Sequence, residues 1–475
     1  MEKNFDVIVI GAGPAGYVAS IRCAQLGMKT ACIDNWLDEK GQPSPGGTCL
    51  NVGCIPSKAL LESSALYVQA SQELEGHGIT TGPVSFDVST MMRRKRQLVK
   101  GLTSGVRSLL TGNNITLFTG NGRLLADKQV EVNRDGNITV IHAKNIILAP
   151  GSTNRALPAI PIDDDIVVDS SGALSFAEVP NRLAVIGAGV IGLEMGSVWS
   201  RLGSKVSIYE YAPSFLPFAD KQISKTALAT YKKQGLEFNF GAEVTKASIT
   251  SGKITLHYSN GDSRHQAEFE KIIVAVGRIP NTSDLFSDAA GIRLDNQGRI
   301  EVNEQCSTNV EGIYAIGDAV RGPMLAHKGS EEGMMVAELI AGQYARVDYG
   351  TIPFVVYTDP ELAWCGKTEQ ALIEQDIPYS TGQFSFAANG RAMASGSATG
   401  MIRIHAHRDT DRVLGVHMIG PHVSELIGQA VIAMEFGSSS EDLAMTMFAH
   451  PSLSEVLHEA ALDVTKRAIH KVSRK

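Results

Sequence analysis

One pattern occurs twice in this chain, and it limits the possible folds more than any other feature. An apolar run leads into a glycine-rich turn, a helical stretch and a second apolar run that ends in an acid. The glycines and acids of the two copies are, in chain order, Gly11, Gly13, Gly16, Asp34, Gly187, Gly189, Gly192 and Glu210. In each copy the acid follows the third glycine by 18 residues. A lone glycine motif is weak evidence and can be a ligand-free turn in a core. With the strand, helix and acid in place, however, each copy predicts a βαβ unit that binds a dinucleotide.

The glycines and the acid have separate roles in such a unit. Glycines let the backbone approach a pyrophosphate, whose charge the helix N-terminus stabilises. Asp34 and Glu210 would each accept hydrogen bonds from an adenosine ribose. A carboxylate there repels a 2′-phosphate, and the residues after Glu210, Tyr211 and Ala212, supply no cation. The second unit should therefore prefer NAD to NADP.

Length, charge and cysteine content exclude several classes of protein. A chain of 475 residues predicts two to four domains, and its longest apolar runs are strand-sized, so no membrane span is expected. A net charge of −7 gives no reason to expect nucleic acid or an anionic membrane as partner. The first apolar run begins at Phe5 and leaves no room for a signal or transit peptide. Six cysteines are too few for a secreted disulfide scaffold, and we expect a reducing, cytoplasmic location.

The rest of the chain reads as further strands and a third type of domain. Glycine-ended apolar runs at 146–151, 272–277 and 313–318 are typical of a chain leaving and re-entering nucleotide-binding domains. After about residue 350 alternating patterns at 400–404 and 413–418 predict a separate α+β domain. The segment 35–44 is the one conspicuous polar loop.

Cys49 and Cys54 are the strongest chemical signal. A zinc site would need a second Cys/His pair at short spacing, and free buried thiols do not explain the glycines and proline around them. In an ideal helix residues five apart are separated by about 7.5 Å along the axis, too far for a relaxed disulfide. A bridge therefore needs an irregular helix entry, which Gly53 permits, while Pro56 suits the first turn of the next helix. We expect a redox dithiol whose thiol pKa is lowered by a helix N-terminus.

His450 is a candidate base for thiol chemistry. Taken alone it is more often an ordinary polar residue, but Glu455 lies within reach and a His–Glu pair suits a reaction near neutral pH. Pro451 should start a helix that runs to about Val464.

Two basic stretches have a plainer interpretation than nucleic-acid binding. In an acidic protein, residues 93–96 and the tail 466–475 are typical of solvated surface. The remaining cysteines lack any pairing context and are expected to be inert: Cys23, Cys32, Cys306 and Cys365.

These motifs together resemble the FAD-dependent pyridine nucleotide–disulfide oxidoreductases, nearly end to end. The resemblance depends on both glycine motifs, the cysteine run 46–58, and the segments 316–319 and 450–455. Glutathione reductases usually have lysine in place of Ser57, and mercuric reductases carry an extra C-terminal cysteine pair, whereas here no cysteine follows Cys365.

The resemblance implies an α/β fold with two Rossmann-like βαβ domains, for FAD and NAD, and a C-terminal α+β dimerisation domain. The implied segments are an FAD-binding domain at 1–153, an NAD-binding domain at 154–278, a second FAD or central part at 279–350 and the dimerisation domain at 351–475. The implied FAD contacts are Gly11, Gly13, Gly16, Asp34, Lys58, Gly122, Gly151, Ser152 and Asp318. The implied NAD contacts are Gly187, Gly189, Gly192, Glu210, Val244 and Gly277. Asp34 is shorter than the Glu that the family often has there. No metal is expected.

The implied reaction is oxidation of protein-bound dihydrolipoamide by NAD+. His450, oriented by Glu455, would serve the partner subunit of a homodimer as the base, with Cys49 and Cys54 as the redox pair. The implied partners are lipoyl-bearing proteins of 2-oxo-acid dehydrogenase complexes or a glycine cleavage system. Two alternatives stay open: a reductase that passes electrons from NAD(P)H to glutathione disulfide or a similar substrate, and a flavoprotein that acts mainly as a binding subunit.

Overall fold

The computed structural model describes residues 3–250 and 253–472. The strands, in chain order, are β1 (Asn4–Ile10), β2 (Thr30–Asp34), β3 (Thr116–Thr119), β4 (Asn121–Leu124), β5 (Gln129–Arg134), β6 (Asn137–Leu148), β7 (Ser152–Asn154), β8 (Val167–Val168), β9 (Arg182–Ile186), β10 (Lys205–Glu210), β11 (Glu237–Phe240), β12 (Ala242–Thr250), β13 (Lys253–Asn260), β14 (Ser263–Phe269), β15 (Lys271–Val274), β16 (Arg278–Pro280), β17 (Ile313–Ala315), β18 (Phe354–Val356), β19 (Glu361–Gly366), β20 (Tyr379–Ser385), β21 (Met401–His407) and β22 (Val413–Gly420). The α-helices are α1 (Pro14–Gln25), α2 (Gly47–Val52), α3 (Cys54–Val68), α4 (Val88–Gly112), α5 (Ser170–Ala173), α6 (Val190–Arg201), α7 (Lys221–Lys233), α8 (Ala326–Ile340), α9 (Glu369–Glu374), α10 (Gly390–Ala394), α11 (Val423–Glu435), α12 (Ser440–Met445) and α13 (Glu455–Val464).

The chain forms two compact units, each made of three segments. The first unit contains Met1–Leu60, Asp87–Ala156 and Val276–Val347. The second contains Leu61–Phe86, Leu157–Ala275 and Asp348–Lys475. The finer division into four segments, with boundaries at 153, 278 and 350, stays a prediction.

The first unit is built on a seven-stranded sheet in the order β3-β2-β1-β6-β5-β4, with β17 paired to β6. β1 lies parallel to β2 and to the end of β6, so that Val9 is opposite both Cys32 and Ile147. Val9 has no exposed surface, as expected for a central strand of a parallel sheet covered on both faces. The helix α1 follows β1 and ends before Gly27, whose φ is +83°. This arrangement confirms the first predicted βαβ unit.

The second unit contains three sheets. A five-stranded parallel sheet has the order β11-β10-β9-β15-β8, and β9, α6 and β10 form the second predicted βαβ unit. A three-stranded antiparallel sheet has the order β12-β13-β14. The strands after residue 350 form an antiparallel sheet in the order β18-β19-β22-β21-β20, on which α11 and α13 pack. The predicted α+β character of the C-terminal region is confirmed.

Two expectations about helices were wrong in detail. The last helix does not start at Pro451 but at Glu455, because residues 451–454 form a turn in which the Glu455 side chain accepts a hydrogen bond from the Ser452 backbone amide at 2.9 Å. In the basic stretch 93–96 the three arginines are exposed, but Lys95 is buried in α4. Burial lowers the pKa of Lys95 to about 8, with a further contribution from the charge of Arg96.

The basic side chains in the described part of the tail are exposed, as predicted, and two of them form ion pairs. Lys471 lies 2.6 Å from Asp463, and Arg467 pairs with Glu441. Residues 473–475 of the predicted tail lie outside the described residues. Within the part of the chain that the structure describes, no helix is both long and apolar enough to cross a membrane.

Candidate functional site

The first glycine turn is held by close backbone contacts that only glycine allows. Gly11 has φ of +102°, and a Cβ atom there would lie 2.1 Å from the carbonyl oxygen of Ala149. A Cβ atom on Gly16 would lie 1.8 Å from the carbonyl oxygen of Gly11. Gly13 caps α1, whose first residue is Pro14. The turn therefore brings the N-terminus of α1 to the end of β1, the geometry that accommodates a pyrophosphate.

Asp34 is a buried carboxylate, and one of its two oxygens lacks a hydrogen-bond partner among the described residues. Its Oδ1 accepts a hydrogen bond from the Ala12 backbone amide at 3.1 Å, while Oδ2 has no hydrogen-bond partner among the described residues. Burial raises the pKa of Asp34 to about 6, although the amides of Ala12, Trp36 and Asn35 act in the opposite direction. An orphan acceptor beside a glycine turn fits the hydroxyl groups of an adenosine ribose, so the residues present suit FAD.

The cysteine run is attached directly to this turn. The Gly46 amide donates to the Ala12 carbonyl at 2.8 Å, and a Cβ atom on Gly47 would lie 2.6 Å from the Cα atom of Gly13. Cys49 therefore lies in a helix, α2, that begins against the N-terminus of α1. The structure brings the first glycine motif and the redox pair into one site.

The two cysteines lie on separate helices, as their spacing required. Cys49 is in α2, Cys54 opens α3, and Gly53 between them has φ of −133° and ψ of −116°. Neither cysteine is in a disulfide; Cys49 is half-buried, Cys54 is exposed, and their side chains are hydrogen-bonded to each other. The sulfurs are thus adjacent, within reach of disulfide formation.

The expected fall in thiol pKa does not hold for Cys49. Its hydrogen bond to Cys54 raises the pKa of the Cys49 thiol, burial and the charge of Cys54 raise it further, and Lys58 partly opposes them. Adjacent thiols that share a proton cannot both ionise easily, and this outweighs the helix N-terminus. Lys58 lies close enough to Cys49 to act on it, which places this predicted residue at the pair.

Ser152 and Asp318 also meet in the first unit. The Ser152 hydroxyl donates to the Asp318 carboxylate at 2.5 Å, next to Gly151, whose φ is +72°. Gly122 lies against the end of β1, where a Cβ atom on it would be 3.0 Å from the Ile10 side chain. The part of these residues in FAD binding stays a prediction.

The second glycine turn repeats the geometry of the first with a more fully bonded acid. Gly187 has φ of +105°, and a Cβ atom on Gly192 would lie 2.0 Å from the Gly187 carbonyl oxygen. Glu210 accepts from the Ala188 amide at 2.7 Å and from the Ala212 amide at 2.8 Å, one with each carboxylate oxygen. Glu210 therefore fixes both the turn and the end of β10, and its contact with a ribose stays a prediction.

The other predicted NAD contacts are placed differently. Val244 lies in β12 opposite Tyr258, whose ring is 4.8 Å from that of Tyr209 in β10, so Val244 is near the strand that carries Glu210. Gly277 belongs to the first unit and accepts a hydrogen bond from the Arg155 amide at 3.0 Å.

His450 and Glu455 form a hydrogen-bonded pair. The Nδ1 atom of His450 is 2.8 Å from Oε1 of Glu455, and the imidazole is 81% exposed. Burial would raise the pKa of Glu455, but the Ser452 amide and His450 hold it below its ordinary value. A carboxylate at Nδ1 favours the tautomer with the proton on that atom, which leaves Nε2 as an outward-facing base.

Comparison with known proteins decides what kind of molecule combines these features. Residues 5–333 match the model of the pyridine nucleotide-disulphide oxidoreductases, and residues 352–461 match their dimerisation domain. The chain belongs to the pyridine nucleotide-disulphide oxidoreductase family.

Relatives in this family cover the whole chain. A dihydrolipoyl dehydrogenase of Cupriavidus necator is 48% identical over 99% of this chain and 100% of its own length. A mitochondrial dihydrolipoyl dehydrogenase of Pisum sativum is 45% identical over 98% of this chain and 92% of its own. A leghemoglobin reductase of Glycine max is 45% identical over 96% of this chain and 87% of its own.

Solved structures of similar fold include a flavoprotein. The flavoprotein disulfide reductase RclA of Escherichia coli has a TM-score of 0.86 at 26% identity, over 97% of this chain and 99% of its own. LpdA of Mycobacterium tuberculosis has a TM-score of 0.88 at 24% identity, covering 96% and 98% of the two chains, and indicates the fold alone. The predicted α/β fold with a dimerisation domain, the oxidoreductase class and the cofactors FAD and NAD are confirmed by this family membership.

Several residues that shape the sites of this oxidoreductase were missed. Asn51 donates to the carbonyls of Ser44 and Gly47 at 3.0 and 2.9 Å and so ties the polar loop 35–44 to α2. Arg278 donates to the Ser152 hydroxyl at 2.7 Å, next to Asp318. Asn51 sits inside the cysteine run and could have been suspected, whereas no local signal marks Arg278.

Two further missed residues hold the turn that carries His450. Asn389 donates to the Ser452 carbonyl at 3.0 Å, and Gln429 donates to the Ser454 hydroxyl at 2.8 Å.

Among the described residues no group of three or more His, Cys, Asp or Glu side chains is arranged to hold a metal ion. The other cysteines are buried, and burial raises the pKa of Cys23, Cys32 and Cys365 to about 12.

Proposed function

We propose that this protein oxidises protein-bound dihydrolipoamide to lipoamide and reduces NAD+ to NADH, with Cys49 and Cys54 as the redox pair. The observation that carries the proposal is the contact between the two thiols in helices attached to the first glycine turn. Full-length relatives at 44–48% identity that are named dihydrolipoyl dehydrogenase support the substrate.

The cysteine pair can accept the two electrons that the dihydrolipoyl group loses. In the oxidised enzyme Cys49 and Cys54 share a disulfide, and a dihydrolipoyl thiolate attacks the Cys49 sulfur, so that Cys54 leaves as a thiolate. The second dihydrolipoyl thiol then attacks the mixed disulfide, which closes the lipoyl ring and releases Cys49. Two electrons have moved from the substrate to the pair, and the substrate has lost two protons. FAD held at the first glycine turn, beside Asp34, would supply the two-electron chemistry that links the thiol pair to hydride transfer to NAD+.

His450 supplies the base for both deprotonations and releases the first proton to solvent before it accepts the second. Its Nε2 accepts the proton of the attacking thiol, and Glu455 at Nδ1 stabilises the imidazolium that forms. We infer a homodimer in which His450 serves the thiol pair of the other subunit. The dimerisation domain supports this, and so do Phe436, Met445 and Met447, which are strongly exposed apolar side chains within its range.

The proposed partners are lipoyl-bearing proteins of a 2-oxo-acid dehydrogenase complex or a glycine cleavage system. The proposed location is the cytoplasm, where a thiol pair can cycle in a reducing environment. None of the six cysteines is in a disulfide, which is consistent with this location.

Turnover measurements with two substrate pairs test the proposal. The holoenzyme should oxidise dihydrolipoamide with NAD+ and should reduce glutathione disulfide with NADPH at least roughly 100-fold more slowly, a preference of about 2.7 kcal/mol in the transition state. Preferred turnover of glutathione disulfide would replace the proposal with its reductase alternative.

A cysteine variant tests the role of the pair. Cys54→Ala should retain FAD and lose dihydrolipoamide turnover by roughly 100-fold or more, because no disulfide can form. Cys365→Ala removes a buried thiol in β19, outside the pair, and should keep near-normal turnover. Full turnover by Cys54→Ala would contradict the thiol mechanism.

A further inference from the structure

A fully buried ion pair lies in the first unit, outside the residues used so far. Lys328 and Glu332 are one turn apart in α8, their charged groups are 3.3 Å apart, and both side chains have 0% exposed surface. Removing two charges from water is costly, and apolar side chains of similar size often stabilise a protein as well or better. The pair therefore calls for a role other than stability.

Both charges are bonded to the backbone of one residue. The Nζ atom of Lys328 donates to the Gly317 carbonyl oxygen at 2.8 Å, and the Gly317 amide donates to Oε2 of Glu332 at 2.7 Å. Gly317 has φ of +74° and opens the short 3₁₀ turn Gly317–Ala319. The pair thus fixes both polar groups of the residue immediately before Asp318.

Tight packing leaves this turn little freedom. A Cβ atom on Gly317 would lie 3.1 Å from the Cβ atom of Ala15, at the start of α1. A Cβ atom on Gly329 in α8 would lie 3.0 Å from the same atom. The Lys328–Glu332 pair therefore orients the Gly317 backbone where α8, the glycine turn and Asp318 meet.

We propose that Lys328 and Glu332 are positioning residues for FAD: by fixing the Gly317 backbone they aim the Asp318 carboxylate at the cofactor. The Ser152 hydroxyl, 2.5 Å from that carboxylate, fixes its other side. The proposal goes beyond the thiol chemistry and rests on the predicted contact between Asp318 and FAD.

The test measures how fast the holoprotein releases FAD, followed by the rise in flavin fluorescence after dilution. K328M/E332L removes both charges without leaving either one buried alone. It should release FAD at least roughly tenfold faster, while the unfolding midpoint of the FAD-free protein stays the same or rises. K328M/E332Q keeps an acceptor for the Gly317 amide and should restore part of the retention. FAD retention as in wild type by K328M/E332L would overturn the proposal.

A matched control separates positioning from helix packing. Arg22 in α1 and Glu338 in α8 form an ion pair that joins these two helices, at 2.8 Å, without contacting Gly317. R22M/E338L should release FAD at the wild-type rate. Equal acceleration in this control would show that any loosening of α1 and α8 has the same effect, and would overturn the proposal.

The D318N background supplies the decisive comparison. If the ion pair acts through Asp318, K328M/E332L should change FAD release less than about twofold once that carboxylate is gone. Full additivity would refute action through Asp318. None of these readouts requires turnover, so a protein that holds FAD but fails to oxidise dihydrolipoamide would refute the proposed function and leave this proposal standing.

Discussion

At the scale of single residues, the two acids that follow the glycine motifs differ in how their carboxylates are hydrogen-bonded to backbone amides. Glu210 bonds one backbone amide with each oxygen, whereas Asp34, one methylene shorter, bonds the Ala12 amide and leaves Oδ2 without a partner. A buried acceptor without a donor costs about 1–3 kcal/mol. Asp34 therefore lowers the stability of the FAD-free protein, and a ligand hydroxyl relieves that cost.

The effect of the Asp34 carboxylate on the stability of the FAD-free protein can be tested by varying the pH. Its pKa is raised to about 6, above the unfolded value, so the native state binds the extra proton and the stability of the FAD-free protein falls as pH rises from about 4 to about 6. Asp34→Asn removes this fall and should be more stable than wild type above pH 6, by up to about 3 kcal/mol, while binding FAD at least roughly tenfold more weakly. Urea unfolding at pH 4 and pH 7 measures the difference. A variant that is less stable at pH 7 than wild type would contradict it.

His450 supplies a second prediction at the residue scale. His450→Gln should reduce dihydrolipoamide oxidation by roughly 10²–10⁴-fold, since the general base is lost. NADH oxidation with an artificial electron acceptor bypasses the thiols and should be unchanged. His458→Gln is the control, because His458 lies in α13, the helix that follows the turn carrying His450, and its Nε2 contacts the Ala444 carbonyl instead. If His450→Gln lost dihydrolipoamide oxidation and NADH oxidation to the same extent, the substitution would have damaged the structure rather than removed a base.

At the scale of secondary-structure elements, structure set by neighbouring residues could be predicted from the sequence, whereas contacts between segments far apart in the chain could not. Strand, turn, helix and acid were all predictable at both glycine motifs, because adjacent residues and positive φ angles determine them. That Cys49 and Cys54 could not share one regular helix followed from helix geometry, but the separate short helix that holds Cys49 was not predicted. The start of the last helix was misjudged, because Glu455 uses its side chain to hold a turn that sequence spacing does not reveal. Arg278 and Lys328 act through contacts between segments far apart in the chain.

The second glycine helix offers a matched pair of substitutions. On Gly192 a Cβ atom would lie 2.0 Å from the Gly187 carbonyl oxygen, whereas on Gly196, one turn later in α6, it would be 3.5 Å from Val206. Gly192→Ala should weaken NAD+ binding by roughly tenfold or more, equivalent to about 1.4 kcal/mol, because the turn must open. Gly196→Ala should leave binding unchanged and stabilise the helix by about 0.5–1 kcal/mol. Titration with NAD+ and thermal unfolding distinguish them, and equal binding by both variants would show that the close turn is dispensable.

At the scale of the whole molecule, the second unit is tied together by buried charges. Asp220 caps α7 through the Gln222 amide and also receives two hydrogen bonds from Arg403 in β21, at 2.6 and 2.7 Å. Burial would raise the pKa of Asp220, but His405, His417 and Arg403 hold it well below its ordinary value. The parallel sheet and the C-terminal sheet of this unit, which sequence patterns divide into separate domains, are therefore joined by an ion pair with a large desolvation cost.

The acid stability of the second unit should depend on His417 in this cluster. Burial first, and then the charge of His405, lower its pKa to about 4, and its Nε2 is 2.9 Å from the Lys367 carbonyl oxygen. The unfolded chain then binds a proton at a higher pH than the native state, so stability falls as pH decreases from about 6.5 to about 4, by about 3 kcal/mol. His417→Gln keeps a donor for Lys367 and should flatten that fall in urea unfolding midpoints, whereas His77→Gln, at an exposed site, should not. An unchanged slope in His417→Gln would mean that other groups control acid unfolding, and would separate this histidine from the pH response of the unit.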